Sequence, residues 1–491
     1  MNKKNRYCFC ATMLLAAVLI SCAAEGAMNT ETTAALTQAE TEAVDNHNPR
    51  YDVPSSLDLK ALDFGGETVT VLTRSESPYY EEYYAEKENG DIVNDAVFRR
   101  NRQTEEKLNI DLGIIAREGS WGPHTQFITQ VKGEIMAGMT EYDFISYYAY
   151  CMPQLSSQGL FTNLYDVEHI NTEKPWWHSM YIENAELYGN LYTLVGDISL
   201  SAVSDIFCLF FNKTLAQNYL DVDPYEMVNN GTWTLDRFLS LVKDIYADLD
   251  GDGQKTAGDF FGWDATDAYD ALPAACAVTF SQSDGNGGYV LNMNTERNAD
   301  ILTRYEDACN EPGVYWILPA EADKTFFINR HALFYSKYLD YTKMFRDMED
   351  DYGLLPHPKY DDAQESYYSV LSDAYSQIAI PTTCEHTEIV GATLELLAEL
   401  SYKDVIPAYF ETAMKDKYLR DNESAKMFDI LVGNVWYDFE VINTSMLGDP
   451  VMVFRDVIFF DKNFASYMKS KERFLEKNLS SFLMKMQEVS E

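Results

Sequence analysis

The stretch that decides the fold is GNLYTLVGDISLSAVSDIFCLFFNKTLA, residues 189–216. It starts with a tyrosine-led apolar run that predicts a β-strand, followed by a polar break. A second apolar run, IFCLFF, continues into Asn212 and Lys213 and then into a helical pattern. Short apolar runs that alternate with amphipathic helical ones predict an α/β protein.

The same alternation occurs earlier in the chain. ETVTVLT (67–73), DLGIIA (111–116) and YDFISYYAY (142–150) are strand-like, whereas residues 94–110 and 125–138 have helical spacing. This order predicts a parallel, doubly wound lobe, in which ligands bind at the carboxyl ends of the strands. The aromatic residues expected at those ends are Tyr79 and Tyr80 after the first strand, and Tyr147, Tyr148 and Tyr150 at the third.

Later segments extend the pattern and carry a family resemblance. They are NGTWTLDRFLSLVKDIY (230–246), GGYVLNMNTERNADIL (287–302), TFFINRHALFYSKY (325–338), YGLLPHPK (352–359) and AIPTTCEHTEIVGATLELLAEL (379–400). In this order the segments resemble the extracellular solute-binding proteins of ABC importers, of the carbohydrate-binding type related to maltose-binding protein. Arg330 departs from the pattern, because a glycine is usual near that position. The resemblance covers roughly residues 60–490.

The resemblance implies a two-lobed, periplasmic-binding-protein-like (type II) α/β fold with hinge strands and a ligand cleft. The first lobe would comprise residues 61–170 and 372–428, and the second lobe with the hinge crossings residues 171–371 and 429–491. The crossings are expected near residues 192–205 and 369–376. Such a protein closes its lobes on a solute and delivers it to a permease; it is not an enzyme.

The N-terminus predicts export and lipid anchoring. Lys3, Lys4 and Arg6 precede the apolar run ATMLLAAVLI, which is too short to span a hydrocarbon core of about 30 Å. The run leads to Leu19-Ile20-Ser21-Cys22, which resembles a bacterial lipobox, with residues 1–21 as the signal peptide and Cys22 as the acylated residue. An ordinary signal peptide with an incidental cysteine is the alternative. Residues 22–60 begin with a segment rich in Thr, Ala and Glu and predict a flexible tether.

Composition limits the partners of the remaining chain. The formal net charge of −40 argues against nucleic acid or anionic membrane as a partner. The 34 tyrosines suit sugar rings, but they also suit any large core. No HExxH, GxSxG, P-loop or CxxC motif is present, so no motif identifies an enzyme.

An acidic segment, DLDGDGQKTAGD (248–259), has the ligand spacing of an EF-hand-type calcium loop. The expected metal ligands are Asp248, Asp250, Asp252, Gln254, Thr256 and Asp259. Asp rather than Glu closes the loop, and Lys255 fills a usually apolar position, so the loop resembles those of dockerins. We expect a structural calcium ion; a solvated acidic turn without an ion is the alternative.

Further candidates for ligand contact lie in and beyond the predicted hinge. They are Trp176, Trp177, Asp197, Ser199, Asp205, Tyr335, Ser336, Tyr338, Trp436 and Tyr437. Of these, Trp436 and Tyr437 fall where the family places an aromatic ligand platform. Packing at the lobe junction is the alternative for the two adjacent tryptophans, and hinge hydrogen bonding is the alternative for Asp197, Ser199 and Asp205.

The expected ligand is a carbohydrate, because aromatic faces pack on sugar rings and carboxylates accept from hydroxyls. A polyamine or a basic peptide would also suit an acidic cleft. A secreted glycoside hydrolase with paired carboxylates is the enzymatic alternative. A monomer is expected for a receptor that must dock and release.

Overall fold

The computed structural model describes residues 48–316, 324–345, 348–415, 422–460 and 462–491. The predicted signal peptide, Cys22 and most of the tether lie outside these residues. Residues 48–491 form one compact unit. Among the described residues, no helix is both long and apolar enough to cross a membrane.

Strands and helices alternate along the chain. The strands are β1 (Glu67–Arg74), β2 (Ile110–Arg117), β3 (Phe144–Tyr148), β4 (Phe207–Asn212), β5 (Tyr246–Ala247), β6 (Phe260–Asp264), β7 (Ser281–Ser283), β8 (Tyr289–Leu291), β9 (Val314–Tyr315), β10 (Ala332–Tyr338), β11 (Tyr352–Leu355) and β12 (Ser376–Ala379). The helices of the first half are α1 (Ile92–Leu108), α2 (His124–Ala137), α3 (Met152–Ser156), α4 (Ser179–Ala185), α5 (Ser201–Ser204), α6 (Lys213–Tyr219), α7 (Pro224–Asn229), α8 (Leu235–Val242) and α9 (Ala268–Ala275). Those of the second half are α10 (Glu296–Cys309), α11 (Lys324–Ile328), α12 (Thr387–Leu400), α13 (Ile406–Lys415), α14 (Asn422–Gly433), α15 (Phe439–Ile442), α16 (Thr444–Leu447), α17 (Val451–Phe459) and α18 (Phe464–Ser490).

Two separate sheets confirm the predicted α/β class. The first has the order β12-β3-β1-β2, with β1 parallel to both β2 and β3 and β12 antiparallel to β3. The second has the order β11-β4-β10-β6-β5, with β10 parallel to β6 and antiparallel to β4. We call the part of the chain built on each sheet the first and the second lobe.

The two hinge segments pair with each other between the sheets. Leu194 pairs with Ile378, and Ile206 pairs with Leu371, both in antiparallel bridges. The tyrosine-led run at residues 191–196 was predicted as a strand, but it forms only isolated bridges. Its residues Leu191 and Leu194 are nonetheless fully buried, which explains the apolar pattern.

The C-terminal part of the chain divides between the lobes differently from the prediction. Helix α14 packs on β11 of the second sheet, and Met427 and Leu431 belong to the second lobe's core. Residues 422–428 therefore do not belong to the first lobe. The end of α18 packs on the first lobe, where Phe482 and Met486 join the cluster around Leu72.

The segment before β1 also differs from the prediction. The predicted tether extends to residue 60, but from Asn48 onward the chain packs on the first lobe. Asn48 and Arg50 donate to the carbonyls of Lys403 and Tyr402 at 3.0 and 2.9 Å, and Leu57 is buried in the core beside α12. The bound at residue 60 is therefore wrong, since residues 48–57 are part of the folded unit.

Candidate functional site

A cavity of about 510 Å³ lies where the two lobes and the hinge meet. The first lobe contributes Tyr148 at the end of β3, and the second lobe contributes Phe207 at the start of β4. Residues 370–373 of the second hinge segment form its floor, and α9 and α17 supply further walls. The cavity thus lies at the carboxyl end of a first-lobe strand, as the fold class predicts.

Aromatic rings line the cavity from both lobes. On the first lobe Trp121 packs edge-on against Tyr150 at 5.0 Å between ring centroids, and Tyr150 lies 6.0 Å from Tyr148. Trp121 is 58% exposed; its ring stacks on His124 at 4.7 Å between centroids, and the part that stays exposed is available to a ligand. Across the cavity Trp436 packs edge-on against Tyr368 at 4.7 Å. Two indoles on opposite walls can hold a flat, partly apolar molecule between them.

Three carboxylates and one guanidinium are the charged groups among the described residues that line the cavity. Arg455 Nη2 donates to both carboxylate oxygens of Asp270 at 3.0 and 3.1 Å. Tyr148 Oη donates to Asp373 Oδ2 at 3.2 Å, and Thr444 Oγ1 donates to Asp449 Oδ1 at 3.4 Å. Each wall thus has acceptors for hydroxyl or amine donors.

Burial raises the pKa of all three carboxyl groups. The pKa of Asp270 rises to about 7, although Arg455 favours its ionised form. Burial also raises the pKa of Asp373 and of Asp449, against hydrogen bonds from Tyr148 and Thr444 that lower it. The cavity therefore disfavours negative charge when no cation is bound.

A second polar network lies behind the cavity and ties β1 to the hinge. Arg74 lies over the Tyr79 ring at 3.1 Å and donates to Ser376 Oγ at 3.2 Å. Tyr79 Oη donates to Asp205 Oδ2 at 3.3 Å, and burial raises the pKa of Asp205 to about 7. Tyr79 and Asp205 therefore hold the hinge and do not line the cavity.

Of the sequence candidates, Tyr148, Tyr150 and Trp436 line the cavity. Four others are buried in the cores with internal partners. Trp177 Nε1 donates to Glu395 Oε2 at 2.8 Å, Tyr437 Oη lies 2.8 Å from His178 Nδ1, and Ser336 Oγ lies 3.0 Å from Trp263 Nε1. Tyr147 stacks on Phe127 and donates to the carbonyl of Glu118.

The remaining candidates also lie outside the cavity lining. Trp176, Tyr335 and Ser199 are buried to 1% exposure or less. Asp197 lies 3.5 Å from His178, Tyr80 stacks on Tyr84, and Tyr338 packs against Phe207. As predictions of direct ligand contact these positions do not match the cavity, because their aromatic or polar groups complete the lobe cores and the hinge.

The sequence patterns do not predict several residues that line the cavity, namely Trp121, Asp270, Asp373, Asp449 and Arg455. A signal existed for Trp121, which lies in the loop after β2 and therefore at the same carboxyl-terminal edge as Tyr148. No comparable signal marked the four charged residues, since the chain contains 78 acidic and 38 basic residues.

The acidic loop places its first three aspartates together. One carboxylate oxygen from each of Asp248, Asp250 and Asp252 lies within 4.8 Å of the others. Asp248 accepts from the Gly251 and Gly253 amides at 2.6 and 3.0 Å, which closes the loop around these oxygens. Asp259 is buried and accepts from the amides of Leu249 and Thr256 at 3.1 and 2.9 Å. The donor set is all oxygen, which fits calcium.

Solved structures with a similar fold include binding proteins with oligosaccharide ligands. The cyclic α-maltosyl-1,6-maltose binding protein from Arthrobacter globiformis has a TM-score of 0.56 and 13% identity, covering 85% of this chain and 99% of its own. A cyclo/maltodextrin-binding protein complexed with maltotetraose has a TM-score of 0.53 and 11% identity, covering 86% and 97%. An ABC substrate-binding protein from Listeria monocytogenes in complex with cycloalternan has a TM-score of 0.53 and 12% identity, covering 84% and 99%.

The chain has the two-lobed fold of these substrate-binding proteins over most of its length. No protein-family model and no curated protein matches the sequence. At such low identity the likeness establishes the architecture, and the ligand has to be argued from the cavity.

Proposed function

We propose that the protein is an extracellular, lipid-anchored substrate-binding protein that captures a carbohydrate, most simply an oligosaccharide, and delivers it to an ABC importer permease. The observation that carries this proposal is the cavity at the hinge, which is lined by one indole from each lobe, by two phenol rings of the first lobe and by three carboxylates. Aromatic faces pack against the apolar faces of sugar rings, while carboxylates accept hydrogen bonds from hydroxyls.

The hinge gives this cavity a means of capture. A ligand that contacts both Trp121 on the first lobe and Trp436 on the opposite wall stabilises the arrangement in which the lobes are close. The structural likeness supports the same reading, since the similar structures named above are binding proteins with oligosaccharides. Capture by a monomer followed by release to a permease needs no chemical conversion of the ligand.

A thermal-shift panel tests the proposal. The melting temperature of the protein is measured with neutral and amine-bearing mono- and oligosaccharides. A specific ligand at a hundredfold excess over its Kd stabilises the folded state by about 2.7 kcal/mol. A panel in which no saccharide raises the melting temperature would contradict the proposal.

Two tryptophan variants locate the binding. In Trp436→Ala and Trp121→Ala we expect the shift to fall by at least half, because each variant removes one aromatic wall. Tyr219→Ala is the matched control, since Tyr219 is 50% exposed and packs against Phe260, which does not line the cavity. An undiminished shift in both tryptophan variants would place the ligand elsewhere.

Glycoside hydrolysis is the second candidate function. It is favoured by one observation: Asp270, Asp373 and Asp449 line a single cavity, and the pKa of Asp270 is raised to about 7, as a general acid requires. The contact from Arg455 Nη2 to both carboxylate oxygens opposes this role, because it favours the ionised form of Asp270 and lowers its pKa. Shorter saccharides appearing on incubation, and their loss in Asp373→Asn, would establish hydrolysis.

We further propose that Cys22 is acylated and anchors the protein, as the lipobox-like sequence indicates. Mass spectrometry of protein extracted from membranes should detect diacylglycerol, including palmitate, on a chain that begins at Cys22. Cys22→Ser should appear in the soluble fraction.

The acidic loop is proposed to hold a structural calcium ion, ligated by the three clustered aspartates with Gln254, Thr256 and Asp259. The ion would contribute to the stability of the second lobe and would take no part in binding the solute. Calorimetric titration with calcium should give one site, and Asp250→Asn should abolish it.

A further inference from the structure

The charges in the cavity are unbalanced in a way that a neutral sugar would not correct. Among the described residues that line it, Asp270 is neutralised by Arg455, which is the one cation there. Asp373 and Asp449 have no Lys, Arg or His nitrogen of the described residues within 4 Å. Their hydrogen-bond partners are uncharged hydroxyls, from Tyr148 for Asp373 and from Thr444 and Tyr150 for Asp449.

More distant charges do not remove this imbalance. Arg455 favours ionisation of both Asp373 and Asp449 from beyond contact distance, and Arg74 favours ionisation of Asp373. Arg74, however, is engaged with Ser376 and with the Tyr79 ring behind the cavity. Asp449 itself disfavours the charge on Asp373, because the two carboxylates repel each other.

Closing the lobes on a neutral ligand would bury two carboxylates without a counter-charge, which is costly. An ammonium group on the ligand would compensate one of them and form a charge-assisted hydrogen bond with it. The cavity's aromatic walls favour a flat ring as the carrier of that group, and an indole face also attracts a cation.

We propose that the ligand is an amine-bearing saccharide, with Asp373 and Asp449 as the residues that select its ammonium group. The proposal rests on the proposed function, since it assigns a ligand class to the same cavity. Asp373 lies in the hinge segment between β11 and β12, and Asp449 follows α16 in a left-handed conformation with φ of 54°. The two selecting carboxylates are thus fixed by different parts of the chain and face the same space.

The test compares saccharides that differ at one substituent. Glucosamine, galactosamine and mannosamine, with their short oligosaccharides, are titrated calorimetrically near neutral pH beside the counterparts with hydroxyl and N-acetyl groups. A primary amine of pKa about 8 is mostly protonated under these conditions. We expect at least one amine form to bind at least tenfold more tightly than both of its counterparts.

Two variants assign the preference to residues. In Asp373→Asn and Asp449→Asn the amine preference should fall by at least threefold in each and approach unity in the double variant, while the neutral saccharides lose less. Asp221→Asn is the control. Asp221 is exposed, and its substitution removes the same single negative charge from the protein surface. It should leave the preference unchanged, which separates a local contact from the effect of the large negative net charge.

The outcomes distinguish this proposal from the proposed function. Neutral saccharides that bind as tightly as the amines would overturn the amine assignment and leave the carbohydrate receptor standing. An amine preference that persists in the double variant would overturn the role of the two carboxylates. Binding of spermidine with no binding of any saccharide would overturn both proposals.

Discussion

Trp436 and Tyr148 show how far a sequence can predict which residues line a cavity. Tyr148 ends β3, where the fold class expects a ligand, and Trp436 lies where the resembled family has an aromatic platform; both line the cavity. Tyr147 has the same local context as Tyr148, but successive side chains of a strand point to opposite faces, and its ring is buried against Phe127. Successive positions on β3 therefore differ: Tyr148 lines the cavity, whereas Tyr147 belongs to the core.

Asp373 and Asp449 are cavity-lining residues that the local sequence does not predict. Nothing in the sequence around them sets them apart from the rest of the 78 aspartates and glutamates of the chain. Their importance comes from the cavity that brings a hinge segment and the turn after α16 together. The proximity of these two segments depends on tertiary packing, which local sequence patterns do not predict.

Glu440 offers a test of electrostatics at one residue. It is 1% exposed, and burial together with the neighbouring Asp438 carboxylate raises the pKa of Glu440 well above its ordinary value of 4.5. Ser281 and the Glu440 amide oppose the shift, but less strongly. A raised pKa in the folded state means that stability is lost as the pH rises from that ordinary value through the folded pKa.

We therefore predict that Glu440→Gln stabilises the protein relative to wild type at alkaline pH. The difference in the free energy of unfolding should grow by more than about 1 kcal/mol between acidic and alkaline pH, since one pKa unit corresponds to about 1.4 kcal/mol. Chemical denaturation at several pH values measures it. Exposed Glu488→Gln is the control, and a difference independent of pH would refute the ionisation argument.

At the scale of elements, strands and helices in the first lobe follow the sequence closely. The predicted strands at 67–73 and 111–116 appear as β1 and β2 within one residue at each end, because their alternating and β-branched residues pair with each other in parallel. The hinge run at 191–196 reads as a strand for the same apolar reason. It lacks a continuous partner, however, and so forms isolated bridges.

The polar segment before residue 48 predicts a tether as far as residue 60, whereas residues 48–57 pack on the folded unit. Their hydrogen bonds to Lys403 and Tyr402 join residues that are more than 350 positions apart, so no local pattern announces them. We predict that a chain starting at residue 58 is less stable than one starting at residue 48 by about 1.5–3 kcal/mol, the cost of exposing a buried leucine. Equal denaturation midpoints for the two chains would show that this segment adds nothing.

The acidic loop at residues 248–259 leads to a prediction about calcium and stability. Calcium should raise the melting temperature relative to chelator, because an ion that binds the folded state alone stabilises it. Asp250→Asn should remove this dependence, whereas Asp221→Asn, an exposed aspartate outside the loop, should retain it. A melting temperature indifferent to calcium would identify the loop as a solvated turn.

At the scale of the whole molecule, the order of degenerate segments predicted the two-lobed class, although each segment alone is weak. The C-terminal division was harder to predict, because the 27-residue α18 reaches from the second lobe's core at Met468 to the first lobe's at Met486. Its amphipathic pattern indicates a buried face but cannot say which lobe covers it. For the same reason α14 could be placed only once its contact with β11 was known.

The hinge leads to a prediction for the whole molecule in solution. A saturating saccharide should decrease the radius of gyration measured by small-angle X-ray scattering, since contacts to both walls of the cavity favour the closed arrangement. Trp436→Ala should need a higher saccharide concentration for the same decrease. A saccharide that binds without changing the scattering would argue against capture by lobe closure.

The measurement that tests the central claim most directly is equilibrium dialysis of the purified protein against the saccharide that gives the largest thermal shift, followed by chromatography of the retained sugar. We predict that about one saccharide per protein is retained and recovered unchanged in length and amount, as capture in the cavity lined by Trp121 and Trp436 requires. No retention above that of the Trp121→Ala, Trp436→Ala double variant would contradict the claim of binding in the cavity. Recovery of shorter products would show that the protein is a hydrolase and not a receptor.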